Sequence, residues 1–186
     1  MRPTDPNATS DDLLFGEAVG ALNAGDFSRI QALFKDRGSL GQSRSQIEEW
    51  YDAGRFDQEP TALAQALTCA CMLGQTRVAA FLLDRGVDPV SGAESGQTGF
   101  HYAASGGHLD TVDLLIERHA PLEVKNRFGG TVLDQALWSA VNEPKRDHAL
   151  IIERLIKAGA SLEAVGGRGV VDEVLRQHAE RFRTNE

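Results

Sequence analysis

Residues 96–120, GQTGFHYAASGGHLDTVDLLIERHA, gather side chains able to do chemistry: His101, Tyr102, His108 and His119. Histidine serves as a general base or a metal ligand, and Cys69 and Cys71 lie upstream. A zinc site needs four converging ligands at recognisable spacing; Cys69-Ala70-Cys71 with His101 lacks it. Side chains at 69 and 71 point to different faces of a helix, so small buried core cysteines are the better reading. Asp134 and His101 could approach each other, but a Ser-His-Asp relay also needs an exposed nucleophile and an oxyanion hole, and no nucleophile-elbow pattern occurs. The glycine-rich GGRG at 166–169 lacks the lysine and Ser/Thr of a phosphate loop and reads as a turn. The carboxylates are scattered rather than paired. No catalytic, cofactor-binding or metal-binding residue is therefore assigned, and the chain is not expected to be an enzyme.

The composition is that of an ordinary soluble domain, with 41% hydrophobic and 25% charged residues. Only 6% are aromatic, so the core must be built mainly from Leu, Ile, Val and Ala. The longest unbroken apolar run, Val78 to Leu83, is too short to cross a bilayer. The start, MRPTDPNATSDDLL, lacks the apolar stretch of a secretory signal, and residues 1–12 are expected to be a disordered tail. The net charge is −8, of which residues 1–60 contribute −5 and residues 61–140 contribute −3. No basic block offers a seat for a phosphate backbone, so neither a nucleic acid nor a membrane is expected as a partner. Two closely spaced cysteines without an export signal fit a reducing cytoplasm.

The elements that must position these residues come from an internal repeat. LGQTRVAAFLLDRGVDPV at 73–90 aligns with GGHLDTVDLLIERHAPLE at 106–123, each position 33 residues on. TGFHYAA at 98–104 recurs as TVLDQAL at the same offset, and QALTCAC at 65–71 is a weaker copy. LIKAGASLE at 155–163 repeats LIERHAPLE after 40 residues, so that unit has gained seven, placed within NEPKRDH. LNAGDFSRIQALFKDRG near the start carries the same spacing of glycine and apolar residues. Within a unit, Ala103 and Ala104 sit in a short helix that ends at Gly107, and Leu109, Val112, Leu115 and Ile116 form the apolar stripe of a second helix. Gly86 and Gly159 end the equivalent second helices, where this unit has His119.

A 33-residue period with a Thr-x-x-His-x-Ala core and a Gly-His centre resembles the ankyrin repeat. The resemblance implies an all-α repeat fold, an ankyrin-repeat solenoid of about five helix-turn-helix units joined by hairpin-like fingers. One domain, 13–182, holds units near 13–38, 60–90, 91–123 and 124–163 and a C-terminal cap at 164–182, followed by a tail at 183–186. Gly99 stands where the family usually has proline, and Thr68 and Asp134 where it has the motif histidine; looser corners are expected there. His101 and His108 are expected to brace adjacent units. A helical insertion at 39–58 is expected on the finger side: SRSQIEEWYDAG begins with a capping serine, has Glu48 and Glu49 early, and ends at Gly54. Trp50 and Tyr51 either pack that helix onto the stack or wall one end of a groove.

The resemblance further implies a non-catalytic protein-protein interaction module, a cytoplasmic monomer binding another protein through its concave finger and inner-helix face. The positions it assigns to that face are Met72, Glu94, Ser95, Gln97, Ser105, Arg127, Phe128, Trp138 and Arg176. A stand-alone regulator or immunity-type inhibitor is a special case. Trp138 is either a contact hot spot or a packing residue beneath the insertion of the fourth unit. The competing class is a small-ligand sensor or enzyme with a pocket walled by the 39–58 insertion, for which a deep polar pocket lined by Tyr51, Tyr102 or His101 would be the sign.

Overall fold

A computed structural model describes residues 8–37, 44–91, 96–163 and 165–183. Its helices are α1 (Ser10–Ala24), α2 (Gln46–Asp52), α3 (Pro60–Met72), α4 (Thr76–Asp84), α5 (Gly99–Gly106), α6 (Leu109–Glu117), α7 (Val132–Asn142), α8 (His148–Lys157) and α9 (Arg168–Arg183). They stack in two rows. α1, α3, α5, α7 and α9 pack in sequence as an inner row, and α2, α4, α6 and α8 as an outer row. The all-α repeat stack expected from the 33-residue period is what forms.

The inner row is close because its residues are small. Ala62, Ala66 and Ala70 recur every fourth position of α3 and are fully buried, as are Cys69 and Cys71. Gly99 shows how close: a Cβ there would lie 2.9 Å from the Cys71 sulfur. The missing proline therefore marks a tight corner, not the looser one expected. The outer helices turn stripes inward: Val78, Ala79 and Leu82; Val112 and Leu115; Ile151, Ile152 and Leu155. Truncating one such leucine to alanine costs about 2–5 kcal/mol. The outer helices stop at left-handed residues, Gly86, Gly159 and, with φ of 55°, His119.

The N-terminal end of the chain departs from expectation. Helix α1 starts at Ser10, capped by Thr9 and Asp12, so Ser10–Asp12 are helical rather than tail. The first unit has no second α-helix. Two 3₁₀ turns, Phe27–Arg29 and Gln31–Phe34, take its place. Their buried Phe27, Ile30 and Leu33 are three apart, the period of a 3₁₀ turn rather than an α-helix. The outer row is completed instead by the insertion: α2 packs on the 31–34 turn and on α4, not on the finger side. Its capping serine is Ser45, two residues later than expected, and Glu48 closes the capping box. Trp50 is buried, donates its indole N–H to Asp11 at 3.0 Å, and meets Phe15 edge-on at 5.1 Å. Arg55 stacks on Phe15 at 4.5 Å and pairs with Asp11 and Asp12. The insertion thus straps α1 to the stack.

In the fourth unit the extra residues lengthen the inner helix to 11 residues, against 8 in α5, and widen the turn before α8. Among the described residues the fingers form no strand pairs, and the one β-bridge joins Arg37 and Arg44.

Two substitutions test these constraints. His119→Gly relieves left-handed strain and should stabilise the chain by about 1 kcal/mol, read as a rise of roughly 2–4 °C in thermal melting. Gly99→Ala should destabilise by about 1–3 kcal/mol through overpacking, and Cys71→Ala in the same chain should restore part of that loss.

Candidate functional site

The reactive-looking residues of 96–120 and the cysteines are tied into the frame. His101 is fully buried; its Nδ1 accepts from the Thr98 backbone N–H at 3.3 Å, and its Nε2 lies 3.2 Å from the Gly130 carbonyl. The proton therefore sits on Nε2, which donates across to the next finger. His108 Nε2 reaches the Met72 carbonyl at 2.9 Å, joining the third unit to the second. The same device recurs at two further histidines. His148 accepts from the Lys145 N–H at 3.0 Å and donates to the Ser105 carbonyl at 3.0 Å. His178 reaches the Lys145 carbonyl at 2.8 Å. The two cysteines are free and buried. Burial pushes the Cys71 thiol up to about 12 and, with Cys71 as neighbour, raises Cys69 as well. Neither is a nucleophile at neutral pH. Among the described residues no cluster of three or more His, Cys, Asp or Glu side chains is placed to hold a metal.

Asp134 takes the place of the motif histidine in the fourth unit. Its Oδ2 accepts from Thr131 N–H at 2.7 Å and Thr131 Oγ at 2.9 Å, reproducing the local cap. A carboxylate is too short to reach onward as His101 does, and among the described residues it makes no bond to the following unit. Thr68 is likewise local, bonding Ala64 O at 3.4 Å within a longer α3.

A groove of about 610 Å³ opens between the 126–130 finger and α7. Asn126 builds the finger tip: its Oδ1 accepts from Phe128 N–H at 2.9 Å and Gly130 N–H at 3.0 Å. Arg127 N–H donates to Gly96 O at 2.8 Å, docking this finger on its predecessor. Gly96 has φ of 75°, and a Cβ there would lie 2.5 Å from that of Arg127. The tip so held presents Phe128, 75% exposed; across the groove α7 presents Trp138, 53% exposed. Carboxamides line the space between. Gln135 Oε1 lies 3.4 Å from both Gln97 Nε2 and Asn126 Nδ2. The Arg127 guanidinium stacks on Phe128, 4.8 Å from its centroid.

Of the residues assigned to the binding face, Gln97, Phe128 and Trp138 meet in this groove, with Arg127 at its edge. Glu94 and Ser95 lie outside the described residues. Met72 is half-buried against the core, and Ser105 is half-buried with its Oγ donating to Tyr102 O at 3.1 Å. Arg176 is paired along α9 with Glu173 and Glu180, which raise its pKa, while its guanidinium holds Glu173 down at about 2. Asn126 and Gln135 were missed. Asn126 heads the turn sequence NRFGG, an Asx-turn signal. Gln135 lies three residues before Trp138, on the same helical face.

No described residue of the insertion lines this groove. A separate depression of about 580 Å³ beside α2 is lined by Asp11, Arg37, Gln46, Glu49, Trp50, Ala53 and Arg55. Its arginines are engaged, Arg37 with Gln46 and Arg55 with Asp11. Tyr51, Tyr102 and His101 do not line it.

A family model described as ankyrin repeats, in three copies, matches residues 67–165, just over half of the chain. Among curated proteins the chain is 33% identical over 104 residues to the ankyrin repeat and KH domain-containing protein mask of Drosophila melanogaster, covering 56% of this chain and 2% of that protein. It is 37% identical over 60 residues to an ankyrin repeat-containing protein of Schizosaccharomyces pombe, covering 32% of this chain and 29% of that one. The chain thus spans only a small part of these relatives' lengths. Among the described residues no helix is long and apolar enough to cross a membrane.

Burial lowers the pKa of His101 and His148 below the ordinary 6.5. The unfolded chain then takes up more protons as pH falls. The stability contributed is fully present above about pH 6.5 and is lost as pH drops toward the depressed folded-state values, at up to about 1.4 kcal/mol per pH unit per histidine. Thermal melts from pH 7.5 to about 5 should show this decline. His148→Gln should flatten it.

Proposed function

Because the chain belongs to the ankyrin-repeat family, whose repeats generally mediate protein–protein contacts, we propose that it is a non-catalytic interaction module whose protein partner docks in the groove between Phe128 and Trp138. The observation that carries the reading is the exposure of these two rings, 75% and 53%, facing one groove in a chain whose other tryptophan is 2% exposed. Large aromatics are enriched among residues that carry binding energy, and a groove bounded by two of them is where a partner gains most from burial. Both rings leave more than half of their surface uncovered by the stack, which supports a contact role over a packing one. Gln97 and Arg127 join them as contacts. Two buried, unpaired cysteines fit a cytoplasmic location.

The test is quantitative affinity capture from the native host with the wild-type chain and with Phe128→Ala/Trp138→Ala. The double variant should lose the partner, each truncation weakening binding by about 2 kcal/mol, or roughly thirtyfold, while thermal stability changes little. Unchanged capture by a folded double variant would place the partner elsewhere.

A further inference from the structure

The groove carries a charge bias that its role as a docking face leaves open. Asp134 and Trp138 are four residues apart on α7, so they share one helical face, and both line the groove. The carboxylate commits Oδ2 to Thr131. Among the described residues Oδ1 has no hydrogen-bond partner, and no cation pairs with Asp134. The other polar lining, Gln97, Asn126 and Gln135, is uncharged, so the groove's own formal charge is negative and sits beside an indole more than half exposed. At the opposite wall the sign reverses, with the Arg127 guanidinium stacked on Phe128. The seat for a positive charge is therefore on the Trp138 side.

We propose that this seat takes an arginine side chain from an extended segment of the partner protein, its guanidinium plane stacked on the Trp138 indole and an N–H donated to Asp134 Oδ1. The inference rests on the reading of the groove as the docking face. An aromatic face with a carboxylate one turn away suits a cation that is planar, weakly hydrated and rich in donors. Arginine satisfies the ring and the carboxylate together. A purely apolar ligand would cover Asp134 Oδ1 without satisfying it. A lysine offers a single point charge that cannot stack as a plane. The cavity, about 610 Å³, is larger than one side chain, which fits an arginine carried on a peptide rather than a free guanidinium.

The experiment selects short random peptides displayed on phage against the full chain and measures the recovered peptides by fluorescence anisotropy. Arginine should recur among them, and peptide Arg→Ala should weaken binding about tenfold. Asp134→His, which installs the residue the third unit uses beside its own capping threonine, should weaken the arginine peptide by a similar factor yet leave the Arg→Ala peptide nearly unaffected, the coupling expected of a direct pair. Asp134→Asn, which keeps the side-chain shape, should act in the same direction, with both variants checked for an unchanged melt. Peptides that lose binding on Trp138→Ala but lack arginine, or ignore both Asp134 variants, overturn the arginine seat while leaving the groove as the docking face. Peptides indifferent to Trp138→Ala as well, or no enrichment at all, overturn the docking face and the seat with it.

Discussion

Between α3 and α5 there is no space for even one added methyl: a Cβ on Gly99 would sit 2.9 Å from the Cys71 sulfur. That close approach of small-residue helices is the constraint on which the stack depends. Each two-helix unit is too thin to bury its own apolar stripe, and stability comes from the interface each unit shares with its neighbours. The alanines of α3 and the glycine at the start of α5 bring the inner row together. The outer-helix leucines and isoleucines then meet behind it in one buried cluster.

Packing alone leaves the ends of short helices with unpaired backbone groups. The histidines answer this. His101, His108, His148 and His178 each carry a ring nitrogen to a carbonyl outside their own unit or helix: Gly130, Met72, Ser105 and Lys145. They couple one unit to the next by a directional bond where the apolar contacts are non-directional. These residues look reactive in the sequence, but their hydrogen-bonding capacity is spent on the frame. At the start of α7, where the third unit has His101, an aspartate stands instead. Among the described residues Asp134 keeps the cap on its own helix and makes no bond across, and the groove lies on that face.

The N-terminal end meets the same physical requirement in another way. The first unit lacks an outer α-helix, and the 3₁₀ turns leave part of the row open. Helix α2 fills it, with Trp50 and Arg55 clasping the acidic start of α1. The buried Glu48 accepts two hydrogen bonds from Ser45 at 2.8 Å and is met by Arg77 from α4, so the strap is anchored to both rows. Burying a carboxylate costs free energy unless it is paired in this way.

What the sequence determined by itself was everything set by residues a few positions apart or one period apart. The 33-residue repeat, the glycine stops, the anomalous His119 and the extra helix after Gly38 follow from local conformational preference and periodic apolar spacing, and the bracing by His101 and His108 follows from the resemblance to the ankyrin repeat. The tertiary structure decided what depends on distant neighbours. Trp50 and Trp138 are the same residue type, and nothing in their local sequence separates them. One is buried because Asp11 and Phe15, some forty positions away, close over it. The other stays more than half exposed because no described element of the fold closes over the face of α7 that carries it. The same reasoning holds for α2, whose helical character was readable but whose seat in the outer row was set by a gap left by the first unit. It holds too for Gln97, Asn126 and Gln135, brought to one groove only when adjacent fingers dock.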